Sequence, residues 1–307
     1  MFKNKKTIVK QKVKNIQQFL LTIPRDLKSI PFSAQVAIIC LGLFMVWNIF
    51  FDFNHFLNPK HFPSIWKIVN NKQEETWKQV LLMLNGMAAF TNIICVILIA
   101  LGKISNYFWG FISVTVYGLF SLTWDYVGDM QLNLFFFLPF QFIGYSLWKF
   151  NLDSQQDIIS KRLNLKTGMV TIYFSIILTV FFYFEIPEFS RVILGTYDFE
   201  GKNWSKLLPH VLDSLTNGLS IAAQILMLMR FREQWIFWII VNILQITMYS
   251  GIAHSTIDIN LLIMWIVALG NSCFGCYQWF FVRSREKLTE KTKNEILKYE
   301  TPQQFKN

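Results

Sequence analysis

The chain has 307 residues, of which 53% are hydrophobic, 17% are aromatic and only 16% are charged. Its mean hydropathy is +0.35, and this combination of few charges and many aromatic residues is unusual for a soluble domain. The formal net charge of +10 is compatible with nucleic-acid binding, but the basic residues lie in tails and short loops between long apolar runs, which is typical of a polytopic membrane protein.

The first 30 residues are rich in lysine and carry Ile, Phe and Leu at roughly helical spacing. This pattern predicts a cytoplasmic tail, 1–30, that rests on the membrane surface. No small-residue cleavage site follows the first apolar run, so the segment does not resemble a signal peptide. A second tail, 283–307, has mixed charge.

Eight predominantly apolar segments between the tails are each long enough to cross a bilayer as a helix. The predicted spans are 33–53, 78–101, 104–124, 128–148, 168–186, 207–229, 232–251 and 256–281. The predicted fold is therefore an all-α polytopic membrane protein. With the N-terminus inside, 22 of the 29 Lys and Arg residues fall on the cytoplasmic side. This asymmetry follows the positive-inside rule and places both tails in the cytoplasm.

Three short motifs recur in the same order, one per helix, at offsets of 129 to 132 residues. They are Asn85-Gly86 with Asn217-Gly218, Phe108-Trp109 with Phe237-Trp238, and Gly144-x-x-x-Trp148 with Gly275-x-x-x-Trp279. The repeats define two three-helix units, 78–148 and 207–281, joined by a linker helix at 168–186 and preceded by an extra helix at 33–53. One linking span makes the two units parallel, which is a transporter architecture with its solute site between the halves. Duplication can also produce a channel or a passive scaffold.

The seventh predicted span carries a polar face. Trp238, Asn242, Gln245 and Tyr249 are spaced by four, three and four residues, so a helix aligns them. Buried carboxamides need hydrogen-bond partners, because an unsatisfied polar group in hydrocarbon costs several kcal/mol. With aromatic neighbours, this face suits a polar solute that contains a ring.

Other predicted spans contribute further polar side chains. Those we consider as solute contacts are Asn85, Asn92, Gln141, Asn217, Gln224 and Asn271. Such residues also act as hydrogen-bonding links between membrane helices, at about 0.6 kcal/mol each. Both roles remain open for Asn85, Asn92 and Gln224, whereas the paired pattern on neighbouring spans favours solute contact for Asn217. Pro139 is expected to kink its helix beside Gln141.

The charge distribution limits the solute. No Lys or Arg lies deep in a predicted span, Asp213 is the one acidic residue well inside one, and the acidic loop Asp125–Asp129 is predicted to lie outside. A phosphate or carboxylate therefore lacks a charged partner, and we expect a neutral or weakly cationic solute moving down its own gradient. The pattern predicts no catalytic site, metal or cofactor, and it places Trp235 and Trp279 in an interfacial aromatic belt.

Several motifs between about residues 80 and 283 resemble the PnuC family of bacterial vitamin transporters. They are Ile104-Ser-Asn-Tyr-Phe-Trp-Gly110, Asp129-Met130 followed by a Phe-rich run and Gly144-x-x-x-Trp148, Asp213-Ser214 with Leu219-Ser220, Leu226-Met-Leu-Met-Arg230, and Trp235-x-x-Trp238-x-x-x-Asn242. The last motif is the most specific of the set.

The resemblance implies a three-plus-one-plus-three fold like that of the SWEET sugar transporters, a homotrimer and a location in the bacterial inner membrane. It also implies facilitated diffusion of nicotinamide riboside, trapped inside by a cytosolic kinase, with Trp238 and Asn242 as ligand contacts. Gln245 is added from its place on the same helix face. Asn133 stands where the family pattern leads us to expect Gln, and relatives carry thiamine or deoxynucleosides, so those solutes are alternatives. An ion-coupled carrier and a membrane sensor are further ones.

Overall fold

The computed structural model describes residues 17–51, 76–123, 127–152, 158–195, 204–252 and 259–282. Within these ranges the backbone is almost wholly helical, and extended pairing is limited to two isolated bridges, Leu152 with Ile158 and Lys161 with Phe231. The all-α prediction is therefore confirmed for the described residues. The predicted tail 283–307 and the first half of the tail 1–30 lie outside them.

Nine helices follow one another along the described part of the chain. They are α1 (Gln17–Lys28), α2 (Phe32–Phe51), α3 (Thr76–Ala100), α4 (Asn106–Thr123), α5 (Val127–Gln131, Leu132–Phe137 and Leu138–Lys149 in succession), α6 (Leu165–Leu194), α7 (Trp204–Leu228), α8 (Gln234–Tyr249) and α9 (Ile259–Tyr277, continued by Gln278–Val282). Each predicted span lies on one of the helices α2 to α9. The largest difference is in α6, which continues to Leu194 instead of ending at 186.

Three of the described helices are long and apolar enough to cross a membrane, namely Leu165–Ile193, Leu207–Leu228 and Leu261–Val282. The pair α1 and α2, bent by 101° at its junction, is also long and apolar enough when its two helices are taken together, as a broken span or a re-entrant loop. On α6, large apolar side chains such as Ile172 and Phe184 are exposed, which is the surface expected of a helix in contact with lipid. The protein is a multi-pass membrane protein.

Helix α1 packs against the protein. Asp26, which is 1% exposed, accepts a hydrogen bond from the backbone N–H of Ser105 at the start of α4, with 3.2 Å between the nitrogen and Oδ2. Phe19 contacts the ring of Tyr145, with ring centroids 4.6 Å apart. This half of the predicted surface tail is therefore a docked helix that covers the beginning of α4.

Helix α5 contains a widened π-helical turn at Leu132–Phe137, immediately before the segment in which Pro139 occupies the first turn. Proline has no N–H to donate to the preceding turn, and its ring crowds that turn, so the regular α-helical pattern is interrupted there. The side chain of Asn133 donates to the carbonyl oxygen of Asp129 across 2.8 Å. The predicted distortion near Pro139 is thus a π turn one helical turn before Gln141.

Three buried tryptophans, Trp148, Trp235 and Trp279, pack together between the halves of the chain. The Trp279 ring lies 6.3 Å from that of Trp148 and 5.9 Å from that of Trp235, measured between centroids. Trp148 Nε1 donates to the carbonyl of Met227 at 3.2 Å, and Trp279 Nε1 donates to that of Ala100 at 3.0 Å. The prediction that Trp235 and Trp279 face the membrane interface is therefore wrong, because both are core residues, 2% and 0% exposed.

Glycines of the repeated motifs lie where helices approach closely. A Cβ added at Gly275 would lie 2.5 Å from Trp235 Cζ2, and one at Gly144 would meet the ring of Tyr107. A Cβ at Gly218 would lie 2.7 Å from the backbone nitrogen of Thr179, so α7 contacts the backbone of α6. Each Gly-x-x-x-Trp motif thus leaves room for an aromatic residue at the start of α4 or α8.

Candidate solute-binding site

A cavity of about 110 Å³ lies among helices α3, α4, α5, α7, α8 and α9. Both predicted three-helix units contribute to its walls, and α1, α2 and α6 supply none of its described lining residues. Seven of the ten predicted contact residues line it: Asn92, Gln141, Gln224, Trp238, Asn242, Gln245 and Asn271. Residues far apart in the sequence therefore meet at one site between the units.

The predicted polar face of α8 forms one wall. Trp238, Asn242 and Gln245 all line the cavity, as their helical spacing predicts. Asn242 Nδ2 donates to the hydroxyl of Ser272 on α9 at 2.9 Å, while Gln245 Oε1 is buried without a hydrogen-bond partner. The wall thus presents an indole ring and two carboxamides, one of which has an unused acceptor.

Opposite α8, the π turn of α5 brings Phe137 and Gln141 to the cavity. The rings of Phe137 and Trp238 meet at 62°, with centroids 6.2 Å apart. Gln141 Nε2 donates to the carbonyl of Phe137 at 3.2 Å, and its Oε1 packs against Gly110, where a Cβ would lie only 2.5 Å away. Two aromatic rings in edge contact and the Gln141 side chain thus border this part of the cavity.

One end of the cavity is acidic. Asp129, which is 3% exposed, lines the cavity, and its Oδ2 accepts hydrogen bonds from the hydroxyls of Tyr117 at 2.8 Å and Tyr249 at 2.7 Å. The two hydroxyl oxygens lie 3.3 Å apart, because both approach the same carboxylate oxygen. Asp129 was expected to end the acidic outer loop Asp125–Asp129, whereas the structure buries its side chain in the first turn of α5.

Asp213 lies beside this acidic end without lining the cavity. A Cβ added at Gly128 would lie 2.5 Å from Asp213 Oδ1, so the Asp213 carboxylate packs against the residue before Asp129, and the two carboxyl groups are close enough to interact. Asn217 donates to Asp213 Oδ1 at 3.0 Å and to its carbonyl oxygen at 2.8 Å. The amino group of Asn217 is thus used within α7, whereas its Oδ1 is buried without a hydrogen-bond partner, and Asn217 is absent from the described cavity lining.

The other predicted contact residues, Tyr249, Asn271 and Asn85, differ in where they lie relative to the cavity. Tyr249 acts on the site through Asp129, since it is absent from the described lining. Asn271 Nδ2 donates to the carbonyl of Val96 at 2.8 Å and so links α9 to α3 while it also lines the cavity. Asn85 lies on α3, but its side chain falls outside the described set. Asn271 and Asn242 therefore each donate a hydrogen bond from Nδ2 to a neighbouring helix.

Sequence reasoning missed several lining residues, notably Asp129, Tyr117, Asn106 and Trp265. A signal existed for Tyr117, which precedes Tyr249 by 132 residues, the offset that relates Asn85 to Asn217. Among the residues that the structure describes, no group of three or more His, Cys, Asp and Glu side chains is arranged to hold a metal ion. The site is therefore described by aromatic rings, carboxamides and one carboxylate.

Comparison with known proteins places this geometry in context. A family described as nicotinamide mononucleotide transporter matches residues 82–281. The chain is 32% identical over 229 residues to the nicotinamide riboside transporter PnuC of Neisseria mucosa, covering 71% of this chain and 81% of that one. It is 34% identical over 221 residues to the protein of that name from Haemophilus influenzae, covering 70% and 84%. The crystal structure of the vitamin B3 transporter PnuC matches with 28% identity and a TM-score of 0.54, over 73% of this chain and 99% of that one.

Proposed function

Because this chain belongs to the nicotinamide mononucleotide transporter family, we propose that it carries nicotinamide riboside across the membrane by facilitated diffusion, with the solute then trapped by a cytosolic kinase. The observation that carries the proposal is the cavity wall on α8, where Trp238, Asn242 and Gln245 lie side by side. The protein is a transporter and not an enzyme. Relatives of similar length, at 32% and 34% identity, are named for this riboside.

Trp238 provides a ring surface for the pyridine ring of the solute. Asn242 and Gln245, one helical turn apart, pair with its carboxamide or with ribose hydroxyls, and Gln141 lines the opposite wall. A site whose buried polar groups are satisfied only by the right solute discriminates strongly, because a solute lacking those groups leaves them unpaired. This arrangement suits a ring with an amide substituent.

The charge of the cavity favours the riboside over the phosphorylated mononucleotide. No Lys, Arg or His is among the described lining residues, and Asp129 contributes a carboxylate. A phosphate dianion would therefore have no cationic partner and would be repelled by Asp129. The riboside has no phosphate, and its pyridine nitrogen carries a positive charge because it is bonded to the sugar.

For the architecture, we propose eight spans, with the extra helix at 33–53 followed by two parallel three-helix units around the linker at 168–186. Equivalent contacts support this proposal, since the last tryptophan of each unit donates to a carbonyl near the end of the first helix of the other unit. The positive-inside pattern supports cytoplasmic termini in an inner membrane. The SWEET-like arrangement and the homotrimer rest on the family resemblance.

A thermal-shift screen of the purified protein tests the proposed solute. Nicotinamide riboside, its mononucleotide, thiamine and deoxynucleosides are compared at equal concentrations, because stabilisation follows occupancy through mass action. We expect the riboside to raise the melting temperature most and the mononucleotide to have little effect. A larger shift with the mononucleotide would overturn the assignment, and one with thiamine would move it to the alternative vitamin.

A second candidate, an ion-coupled carrier of the same solute, is favoured by one observation: the adjacent buried carboxylates Asp129 and Asp213. Intramembrane acidic residues commonly mark proton pathways. Uptake into proteoliposomes that is unaffected when proton and sodium gradients are collapsed supports facilitated diffusion. Uptake that stops under those conditions supports coupling.

A further inference from the structure

Asp129 lines the cavity, but neither the spacing of the polar residues nor the α8 wall explains why a carboxylate lies there. We infer that Asp129 is the counter-ion that makes this site selective for a positively charged ring, so that a cationic riboside is preferred over a neutral one of the same shape. This inference rests on the proposed function, because it assigns the charge preference of the same cavity.

The hydrogen bonds of Asp129 identify it as an acceptor. Tyr117 and Tyr249, from α4 and α8, both donate their hydroxyl protons to Oδ2, at 2.8 and 2.7 Å. Hydrogen bonds donated to a carboxylate oxygen stabilise its ionised form. Two helices from different units thus hold one carboxylate at the end of the cavity and fix its orientation.

An ionised Asp129 carboxylate has no cationic partner among the described lining residues, which include no Lys, Arg or His. The groups that hydrogen-bond to Asp129 are all neutral: the hydroxyls of Tyr117 and Tyr249 and the side chain of Gln245. A buried carboxyl group without a charged partner tends to stay neutral, and a solute cation beside it favours the ionised form. A solute cation supplies that partner.

Gln245, whose side chain lies beside Asp129, adds a second hydrogen-bond acceptor to this part of the cavity. Gln245 is 1% exposed, lines the cavity and has a buried Oε1 without a hydrogen-bond partner. Its acceptor oxygen and the Asp129 carboxylate together offer acceptors to a ring with electron-poor C–H groups or to the N–H groups of a carboxamide. The face of Trp238 adds an attraction for cations. The Asp129 carboxylate and the face of Trp238 favour a cationic aromatic ring, whereas the Gln245 oxygen can accept from the carboxamide of either riboside.

The test compares two ribosides that differ in ring charge. Nicotinamide riboside has a cationic ring, whereas the carbon-linked riboside of benzamide is neutral and of nearly the same shape. Titration calorimetry on the purified full-length protein gives both affinities for the wild type, Asp129→Asn and Tyr249→Phe. The control Tyr249→Phe removes one neutral hydrogen bond from the same carboxylate and keeps its charge.

We expect the wild type to bind the cation at least about tenfold more tightly than the neutral isostere. Asp129→Asn should weaken binding of the cation by roughly 30-fold or more, the range for removing one partner of a buried charge pair, and leave the isostere nearly unchanged. Tyr249→Phe should weaken binding modestly and retain the preference for the cation.

Equal loss of both affinities in Asp129→Asn would overturn the inference, because it would indicate a structural role. A wild type without preference between the two ribosides would overturn it as well, and that comparison stands even if the variant fails to fold. If the wild type binds neither riboside, the proposed function itself fails. Binding of both with an unchanged ratio in Asp129→Asn refutes only the charge-selecting role.

Discussion

Replacing Asn242 by alanine distinguishes a solute contact from a link between helices. In the structure Asn242 lines the cavity, and its Nδ2 also donates to the Ser272 hydroxyl at 2.9 Å. Ser272→Ala removes the same interhelical bond and leaves the carboxamide in the cavity. The two variants therefore separate the roles.

The two roles predict clearly different losses of solute affinity in these variants. A polar link between membrane helices contributes about 0.6 kcal/mol on average, so Ser272→Ala should change solute affinity by less than about threefold. Loss of a carboxamide that pairs with the solute leaves a buried group unsatisfied, at a cost of about 1–3 kcal/mol. Asn242→Ala should therefore weaken the affinity for nicotinamide riboside by roughly 5- to 150-fold.

Titration calorimetry on detergent-purified protein measures both affinities, and the melting temperature without solute reports on helix packing. We expect Asn242→Ala and Ser272→Ala to lower the melting temperature by similar amounts while only Asn242→Ala loses substantial affinity. If Asn242→Ala binds within twofold of the wild type, or if Ser272→Ala loses as much, Asn242 is a helix link and the assigned wall is wrong.

Two further predictions concern the packing that supports the site. Gly218→Val forces a side chain against the backbone of Thr179 and should destabilise the protein by about 1–3 kcal/mol or more. Gly270→Ala should not destabilise it, because a Cβ added at Gly270 meets nothing within 4 Å. Thermal melting of both variants checks this prediction, and equal melting temperatures would contradict it. Trp148→Phe and Trp279→Phe each remove one hydrogen bond to a carbonyl of the opposite unit. We expect each variant to lose about 1 kcal/mol of unfolding free energy, measured by denaturant unfolding. A large loss in only one variant would argue against equivalent roles.

The wall on α8 was predictable because a helix of constant period converts spacing directly into a face. Trp238, Asn242 and Gln245 are separated by four and three residues, and no knowledge of other helices is needed to align them. That they face a cavity, and not lipid, followed from the cost of exposing carboxamides to hydrocarbon. Local periodicity together with a burial rule was sufficient for this part of the site.

Asp129 could not be assigned in that way. It lies at the boundary of a predicted span, where an acidic residue is ordinarily taken to belong to the loop. The hydroxyls that bind its carboxylate belong to residues 12 and 120 positions away along the chain, so its burial depends on contacts between helices. The position of Asn217 outside the described cavity lining also depends on a contact that spacing does not reveal, because its amino group donates to Asp213 one turn earlier in its own helix.

Trp235 and Trp279 lie in the core and not at the membrane interface, where the sequence predicted them. The repeated Gly-x-x-x-Trp motif was recognised, but Trp279 near a span end was assigned to the interfacial belt, where tryptophan is enriched. In the structure Gly275 leaves room for the ring of Trp235, and Trp279 packs on that ring in the core. Close packing between helices, which depends on space left by glycine, outweighed the interfacial preference.

The central claim is best tested by transport in proteoliposomes that contain only the purified protein. With radiolabelled nicotinamide riboside and no ion gradient, we predict uptake that stops when the inner and outer concentrations are equal, and accelerated exchange when unlabelled riboside is preloaded. Asn242→Ala should slow this flux at low solute concentration. Absence of riboside uptake, or faster uptake of the phosphorylated mononucleotide, would contradict the account.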